Sequence, residues 1–343
     1  MIHHNDYGFR RAAVAGLFAL AFGALSLGAH ADTLKYITFK PEGANDAHTI
    51  SLKWLVDEFK KRTGGKHEIR VYWGGSVANA KETPDALSGG AGDIGDIITP
   101  YFPDKFPLNN AVGFFIPQAR STVEISVLLH RWHREYPQYD AELTKYNLKV
   151  IGFRPLGGYG IICTKPIKSI AEFKGRRIRS YGFAYPALIE AMGGTPVSMN
   201  TTDAYEALQR GILDCSPIDP VLAHGYRYDE VAKYYVNVPL GASFGHMIAM
   251  NLKSYEKLDP QTRAIIDGLG REYGIRFAVE MQLSTDKVIE GWKKTGVTVI
   301  NVSKEEFAKL ADFPAVKSVR AKWIERAKAL GVPAEKIVSE LAF

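Results

Sequence analysis

The chain has 343 residues, of which 46% are hydrophobic and 23% are charged, which is enough apolar sequence for more than one core. Its formal net charge is +6, but the basic residues are neither clustered nor interleaved with aromatic residues, so we expect no nucleic-acid partner. Neither the cysteines, Cys163 and Cys215, nor the histidines show metal-ligand spacing. We therefore expect a two-domain globular protein without a cofactor, whose cysteines are either joined or buried as free thiols.

The amino terminus has the pattern of a secretory signal peptide. Arg10 and Arg11 are followed by an apolar segment, residues 12–28, and by a small-residue cleavage site at residues 29–31. We expect cleavage before Asp32, export to the periplasm and a mature net charge of +5. A retained membrane anchor is the alternative, although the segment is short for a span and rich in Ala and Gly. No later segment reaches membrane-spanning length, so we expect a soluble mature protein.

The first elements of the mature chain alternate between strand and helix. The strand pattern LKYITF precedes a helix over residues 47–63, and the strands HEIRVYW and GDIGDII follow with a short helix between them. This alternation predicts a mainly parallel sheet whose carboxyl edge binds ligands. Trp73 and Tyr101 follow the second and third strands at that edge. Each is a candidate to stack on a ligand, and ordinary core or hinge packing is the alternative.

A second domain repeats the alternation. A helical pattern over residues 121–147 and the strand LKVIGF lead toward it. Ser169 and Glu172 have capping-box spacing, and the strand RRIRSY, a helix beginning near Ala184, a further helix and the strand ILDCSPI follow. The second domain therefore has its own ligand-facing edge.

Arg179 lies near the carboxyl end of the strand RRIRSY. The helix that begins near Ala184 presents its amino end at the same edge, where free N–H groups and the positive dipole end favour an anion. Two independent features thus predict a bound carboxylate. From chemistry alone, the alternative is a surface salt bridge between Arg179 and a neighbouring acid.

The remaining sequence is largely helical. The segment VNVPLGASFGHMIAMNL predicts a strand that returns to the first domain. Asp259 and Pro260 start a helical pattern that reaches Thr295, softly interrupted by glycines. Residues 304–341 form an amphipathic helical segment.

Several of these segments together resemble the solute-binding proteins of tripartite ATP-independent periplasmic (TRAP) transporters, the DctP family. The matching motifs are TKPIKSIAEFKGRRIR, GGTPVSM and DAYEALQRGILD in the family's order, with FKKRTGGKHEIRVYWGGSV and LSGGAGDIGDI upstream. The resemblance covers nearly the whole mature chain. It implies an α/β, two-lobed periplasmic-binding-protein fold, type II-like, with a long helix that spans both lobes.

The resemblance also implies the domain organisation. After the signal peptide, residues 1–31, we expect two lobes and a set of carboxyl-terminal helices packed outside the cleft. Their expected bounds are residues 32–153 plus about 240–262 for lobe I, residues 154–239 plus about 263–300 for lobe II with the spanning helix, and residues 301–343 for the outer helices.

The family pattern has two arginines that bind the substrate carboxylate, and this chain clearly matches only the first of them. In DctP proteins, the arginine at the position of Arg179 forms a salt bridge with the substrate carboxylate. A second family arginine is replaced here by Tyr159, which can donate a hydrogen bond but brings no ion pair. Arg154 lies close enough in sequence to restore that charge.

Two further residues are expected to select the ligand. Asp219 stands near the position where the family has a ligand-binding asparagine. There it would repel a second carboxylate and accept a bond from a hydroxyl or ammonium group, or it would only cap a turn before Pro220. Phe183, downstream of Arg179, would supply apolar or stacking surface together with Trp73 and Tyr101.

We therefore expect a periplasmic solute-binding protein that captures an organic acid and delivers it to TRAP membrane permease subunits. The expected ligand is a monocarboxylate with an aromatic, keto or hydroxyl-bearing body. The binding protein of an ATP-driven (ABC) transporter is the alternative, but it would lack the quoted motifs. A periplasmic enzyme acting on a small acid is less favoured because no GxSxG, HExxH or comparable motif is present.

Overall fold

The structure of the protein is a computed structural model that describes residues 32–43, 46–118, 120–238, 240–241 and 245–341. The predicted signal peptide lies outside these described residues. Within them, no helix combines the length and the apolar character that a membrane crossing requires.

The strands of the described chain are short. They are β1 (Asp32–Ile37), β2 (His67–Tyr72), β3 (Ile94–Ile98), β4 (Leu148–Pro155), β5 (Gly160–Cys163), β6 (Arg177–Ser180), β7 (Thr195–Ser198), β8 (Cys215–Ile218), β9 (Tyr234–Asn237), β10 (Gly245–Asn251) and β11 (Thr298–Asn301).

The helices range from one turn to ten. They are α1 (Ala47–Arg62), α2 (Thr83–Ser88), α3 (Ala111–Phe114), α4 (Thr122–Glu135), α5 (Gln138–Thr144), α6 (Ala184–Ala191), α7 (Ala204–Gln209), α8 (Pro220–Gly225), α9 (Tyr228–Val231), α10 (Leu252–Lys257), α11 (Pro260–Thr295), α12 (Lys304–Ala308), α13 (Pro314–Ala329) and α14 (Ala334–Leu341). Short 3-10 helices cover Thr99–Tyr101, Ile170–Phe173, Thr201–Asp203 and Lys309–Asp312.

The strands form two mixed sheets. The first has the order β2-β1-β3-β10-β4, in which β1 is parallel to β2 and β3, whereas β10 is antiparallel to β3 and β4. The second has the order β11-β9-β5-β8-β6-β7, in which β5 is antiparallel to β8 and β9. We call the first sheet with its helices lobe I and the second sheet with its helices lobe II. The predicted α/β, two-lobed fold is confirmed.

The antiparallel strands have a topological cause. β5 and β10 each follow a strand of the other lobe directly, without an intervening helix: β5 follows β4, and β10 follows β9. Such a strand starts at the edge of the sheet that faces the other lobe, where its neighbours end, and it therefore runs against them. The sequence pattern alone predicted mainly parallel pairing because it did not show which strands follow a crossing.

Helix α1 illustrates how local sequence signals set the elements of lobe I. Asp46 caps the helix by accepting hydrogen bonds from the backbone N–H groups of His48 and Thr49 at 3.0 and 3.1 Å. Leu52 and Phe59 lie on the buried face and pack into the lobe I core. The predicted range of 47–63 is thus close to the observed helix.

The capping box predicted at Ser169 and Glu172 is wrong. The segment is a short 3-10 helix in which the Ser169 side chain makes no capping bond. The Glu172 carboxylate instead accepts a hydrogen bond from the backbone N–H of Lys168 at 2.9 Å. The carboxylate bonds one residue further upstream than a capping box requires, so it holds a turn rather than starting an α-helix.

A disulfide joins Cys163 of β5 to Cys215 of β8. The two residues are register partners in the antiparallel ladder, and both are buried. Of the two alternatives that the sequence left open, the structure therefore has the joined cysteines. The bond ties the strand that follows Tyr159 to the strand that precedes Asp219.

The long helix α11 packs against both lobes. It contacts α1 and β4 of lobe I and α8 and β11 of lobe II, which confirms the predicted lobe-spanning helix. Its glycines do not interrupt it. Two of them allow a close approach to β4: a Cβ at Gly270 would overlap the carbonyl oxygen of Ile151, and a Cβ at Gly274 would lie 2.8 Å from the carbonyl oxygen of Phe153. Helix and sheet meet here without intervening side chains.

The carboxyl-terminal helices also reach both lobes. The indole of Trp323 in α13 is buried and donates to the carbonyl oxygen of Pro107 in lobe I at 2.9 Å. On the lobe II side, α13 packs against α6. The Glu306 carboxylate of α12 accepts a hydrogen bond from the backbone N–H of Ile170 at 3.2 Å.

The Gly270 contact generates a stability prediction. Gly270→Ala should lower the free energy of unfolding by about 1–3 kcal/mol, because the added methyl group forces α11 away from β4. Gly268→Ala is the matched control on the outward side of the same helix, where the nearest atom to a new Cβ is 3.9 Å away. It should raise stability by about 0.5–1 kcal/mol through helix propensity. Urea unfolding measures both, and a Gly270→Ala protein as stable as the control would contradict the packing.

Candidate functional site

A small cavity lies between the two lobes. Its volume is about 20 Å³, close to that occupied by a single water molecule. The lining includes Phe39, Lys40, Tyr101, Arg154 and His246 from lobe I, and Tyr159, Arg179, Tyr181, Thr201, Leu222 and Tyr226 from lobe II.

Two open grooves flank this cavity. One, of about 640 Å³, shares Lys40, Leu222 and Tyr226 with the cavity. The other, of about 490 Å³, shares Tyr101 and Thr201 with it. The cavity is thus the narrow centre of a cleft that is wider on both sides.

Arg179 of β6 reaches the cavity as a buried cation. The residue is 2% exposed. Its Nε donates to the carbonyl oxygen of Met199 at 3.2 Å and one terminal nitrogen donates to the Thr201 hydroxyl at 2.8 Å. The guanidinium carbon lies 4.4 Å from the centre of the Tyr181 ring. These contacts fix the orientation of the side chain through neutral partners only.

The alternative of a surface salt bridge at Arg179 is wrong. No carboxylate of the described residues lies within 4.0 Å of its guanidinium. Arg177, two residues earlier on the same strand, has that role and pairs with Asp214 at 3.1 Å on the surface. Burial by itself lowers the pKa of Arg179, but the surrounding phenol groups, with Tyr228 first, raise it above its ordinary value. The side chain therefore stays charged.

Arg154 of β4 lines the cavity from lobe I, and its buried side chain belongs to a separate hydrogen-bond network. It donates to His48 Nδ1 at 2.8 Å and to His246 Nδ1 at 2.6 Å, and it lies 3.6 Å from the carboxylate of Asp96. A guanidinium has no acceptor, so both Nδ1 atoms accept and the neutral imidazoles carry their protons on Nε2. Tyr36 donates to the same Asp96 carboxylate at 2.8 Å. The charge of Arg154 is therefore largely compensated inside lobe I.

The predicted aromatic residues divide into two groups. Tyr159 is buried and lines the cavity, as does Tyr101, whose ring lies 6.4 Å from that of Tyr181. Phe183 is 45% exposed and packs against Phe114 of lobe I at 5.8 Å, away from the cavity. Trp73 is half-buried and stands edge-on to the imidazole of His48 at 5.9 Å, so it does not line the cavity directly.

Asp219 is fully buried at the start of α8. One carboxylate oxygen caps the helix by accepting a hydrogen bond from the backbone N–H of Leu222 at 2.9 Å. Capping was the alternative that the sequence offered to a role in ligand binding. The other oxygen, Oδ2, has no hydrogen-bond partner among the described residues. Burial raises the pKa of Asp219 to about 6, against the lowering influence of its backbone hydrogen bonds and of Lys40.

Sequence reasoning missed Lys40 and His48. Lys40 lies three residues beyond β1, at the carboxyl edge that also carries Trp73 and Tyr101. The same edge rule would have found it, but a lysine in a polar loop gives no signal of burial. His48 lies in the first turn of α1, where nothing in the sequence marks it as a partner of Arg154.

The residues of the cleft and the two-lobed fold define the class of protein. A cleft closed by two α/β lobes, with an arginine buried at its centre, is the architecture of a solute-binding protein. Residues 41–325 match the sequence model of the DctP family, bacterial extracellular solute-binding protein, family 7. The chain belongs to this family, and it is a periplasmic solute-binding protein of the TRAP type rather than an enzyme.

Relatives of known specificity are similar along most of the chain. The 2,3-diketo-L-gulonate-binding periplasmic protein YiaO of Escherichia coli is 23% identical over 84% of this chain and 85% of its own. A TRAP solute-binding protein of Bordetella bronchiseptica was solved with bound (R)- and (S)-mandelate. It has a TM-score of 0.78 and 19% sequence identity, and the match covers 90% of this chain and 97% of that protein. DctP7 of Bordetella pertussis, which binds pyroglutamic acid, has a TM-score of 0.74 and 20% sequence identity. The match covers 91% of this chain and 99% of DctP7.

The histidines around Arg154 predict how stability depends on pH. Burial, and then the charge of Arg154, hold the pKa values of His48 and His246 well below the ordinary value. Below about pH 6.5 the unfolded chain binds protons at these positions that the folded protein does not, so stability falls on acidification. Each histidine contributes a slope of about 1.4 kcal/mol per pH unit.

Urea unfolding of wild type and of the His48→Gln/His246→Gln variant, from about pH 7 to about pH 5, measures this slope. A glutamine side-chain oxygen can still accept from Arg154 but does not titrate, so the variant should show the shallower loss. Asp219 acts in the opposite direction in both proteins, because its folded pKa is raised. Equal slopes for the two proteins would contradict neutral histidines in the folded state.

Proposed function

We propose that the protein captures an organic acid between its lobes, holds the acid's carboxylate on Arg179 and delivers it to the membrane permease subunits of a TRAP transporter. The observation that carries this proposal is the buried guanidinium of Arg179, which has no carboxylate partner among the described residues. A buried charge is costly unless an opposite charge and hydrogen bonds compensate it. A ligand carboxylate supplies both, and it can bind a guanidinium through two parallel hydrogen bonds.

The closed cleft supports a capture mechanism. Arg179, Tyr159 and Thr201 belong to lobe II, whereas Tyr101 and Lys40 belong to lobe I, so a ligand bound between these residues contacts both lobes. A ligand that touches both lobes favours the closed arrangement, in which more of its surface is bound. The permease then distinguishes a loaded from an empty binding protein by the relative position of the lobes.

The surroundings of Arg179 favour a monocarboxylate with an aromatic, keto or hydroxyl-bearing body. Tyr101, Tyr159 and Tyr181 offer ring faces and hydroxyl groups to such a body. The buried carboxylate of Asp219 disfavours a second negative charge on the ligand. Mandelate, pyroglutamate and 2,3-diketo-L-gulonate, the ligands of the three relatives, are all acids with additional oxygen groups. They support an acid of this class for the present protein.

The proposed roles of the other predicted residues differ. Tyr159 and Tyr101 would contact the ligand, while Arg154 would supply positive potential from the cavity wall, with its two terminal nitrogens already hydrogen-bonded to His48 and His246. Trp73 would support the ligand contact indirectly through His48. Phe183 would instead pack between the lobes on the outside of the cleft, against Phe114.

Replacing Arg179 by Ala tests the central residue. Isothermal titration with mandelate, pyroglutamate and D-glucuronate should show binding by wild type and a loss of about 2–5 kcal/mol, at least thirtyfold in affinity, in the variant. Arg177→Ala removes a neighbouring arginine that is surface-exposed and paired with Asp214, so it is the matched control and should bind as wild type does. Near-equal affinity of Arg179→Ala and wild type would overturn the assignment.

The ligand class is tested by a thermal-shift screen of the mature protein against mono- and dicarboxylic acids. A ligand that binds only the folded state raises the melting temperature, by an amount that grows with its concentration relative to its Kd. Aromatic, keto and hydroxy monoacids should raise it, and the corresponding dicarboxylates should not. Stabilisation by dicarboxylates alone would show that a second cation holds a second carboxylate and that Asp219 does not exclude it.

A further inference from the structure

Lys40 is a further cation in the cavity wall, besides Arg154 and Arg179, and it belongs to the lobe opposite Arg179. It lies in the loop after β1 and lines both the cavity and the larger groove. Its backbone is fixed, because its carbonyl oxygen accepts a hydrogen bond from the N–H of Gly74 at 2.8 Å. Its side chain is 12% exposed. A lysine in a loop is thus held in position at the cleft instead of extending into solvent.

The ammonium group of Lys40 is poorly compensated by the protein. Its Nζ makes no hydrogen bond to the described residues, and the nearest carboxylate, that of Asp46, is 3.9 Å away. That carboxylate is already committed to capping α1, because it accepts from the N–H groups of His48 and Thr49 and from the Thr49 hydroxyl. Asp46 therefore offers Lys40 a weak charge contact and little hydrogen-bonding capacity.

The neighbours of Lys40 from every packed element limit what else can satisfy it. From β4, Arg154 repels it; from α8, the carboxylate of Asp219 attracts it across the cleft, and from β3, that of Asp96 does so more weakly. Burial, with the charge of Arg154, lowers the pKa of Lys40. Asp219 lies too far for an ion pair within 4.0 Å. A ligand oxygen placed in the cavity would give Lys40 the hydrogen bond that the protein does not.

We propose that Lys40 binds a ligand oxygen that is not part of the carboxylate held by Arg179. Lobe II then binds the carboxylate of the acid, and lobe I binds a second group of the same molecule. This inference rests on the proposed function and narrows its substrate class to oxygen-substituted monocarboxylates, with a hydroxyl, keto or lactam oxygen. The negative charge of Asp219, which acts on Lys40 from α8, makes a neutral oxygen a better partner there than a second carboxylate. Binding of the second oxygen also links lobe I to a ligand whose carboxylate is held by lobe II.

Matched acid pairs test the role of Lys40. Mandelate and phenylacetate differ by one hydroxyl group, and pyroglutamate and cyclopentanecarboxylate differ by the lactam. Titration calorimetry should show that wild type binds the member with the additional hydroxyl or lactam oxygen more tightly than its partner. Lys40→Met keeps the unbranched stem up to Cε but removes the ammonium group. In this variant the member with the additional oxygen should lose affinity by about tenfold or more, with little change for its partner.

Two control variants accompany the test. Lys40→Arg restores a cationic donor and should keep most of the preference. Lys53→Met removes an exposed lysine of α1, which pairs with Glu42 at 2.6 Å outside the cavity, and should bind both members of each pair as wild type does. A thermal melt of each variant verifies folding, and the comparison within each pair is independent of any shared loss of stability.

The outcomes separate the two proposals. If Lys40→Met lowers the affinity of both members of a pair equally, or of neither, the assignment of Lys40 is overturned. If Arg179→Ala nevertheless shows a large loss of affinity, the assignment of the carboxylate to Arg179 is retained and only the proposed contact with Lys40 is rejected. If wild type binds none of these acids, nor any acid in the thermal-shift screen, the proposed function and the role of Lys40 both fail.

Discussion

The buried guanidinium of Arg179 constrains the rest of the cleft. A cation that protein groups orient but do not neutralise is tolerated only where something else completes its pairing. The carbonyl oxygen of Met199 and the hydroxyl of Thr201 fix two of its nitrogens, and the Tyr181 ring covers one face. The side chain is thus preorganised, and a ligand carboxylate does not have to order it on binding.

The fold places this cation where two mobile surfaces can meet around a solute. β6 carries Arg179 to the edge of lobe II, and the loops after β1 and β3 bring Lys40 and Tyr101 to the facing edge of lobe I. Helix α11 contacts both lobes and lies directly on β4 through Gly270. Because each lobe is built on its own sheet, the lobes can separate without unfolding either sheet.

The architecture was predictable because it depends on patterns that local sequence carries. Alternating strands and helices indicated two α/β domains, a long helical segment after Asp259, and the position of Arg179 at a strand end. The two-lobed arrangement and the lobe-spanning role of α11 were implied by the resemblance to the DctP family. Burial was harder to predict. Arg177 and Arg179 have the same residue type and the same strand face, yet one pairs with Asp214 on the surface and the other lies in the cleft.

The remaining features depend on contacts between distant segments. His48 and His246 meet at Arg154 although they lie 106 and 92 residues from it. Phe183 packs against Phe114 of the other lobe, and Lys40 lines a groove together with Val221 and Leu222 of α8. No periodicity or spacing reports such meetings. The contacts of Arg154 are set by the packing of β4, β10 and α1 within lobe I, and the contact between Phe183 and Phe114 is set by how the two lobes meet.

A crystal structure of the protein with a bound acid from the thermal-shift screen tests the central claim most directly. The account predicts that both carboxylate oxygens of the ligand lie about 2.7–2.9 Å from guanidinium nitrogens of Arg179. A carboxylate bound to Arg154 or to Lys40 instead, with Arg179 still contacting only Met199 and Thr201, would contradict it.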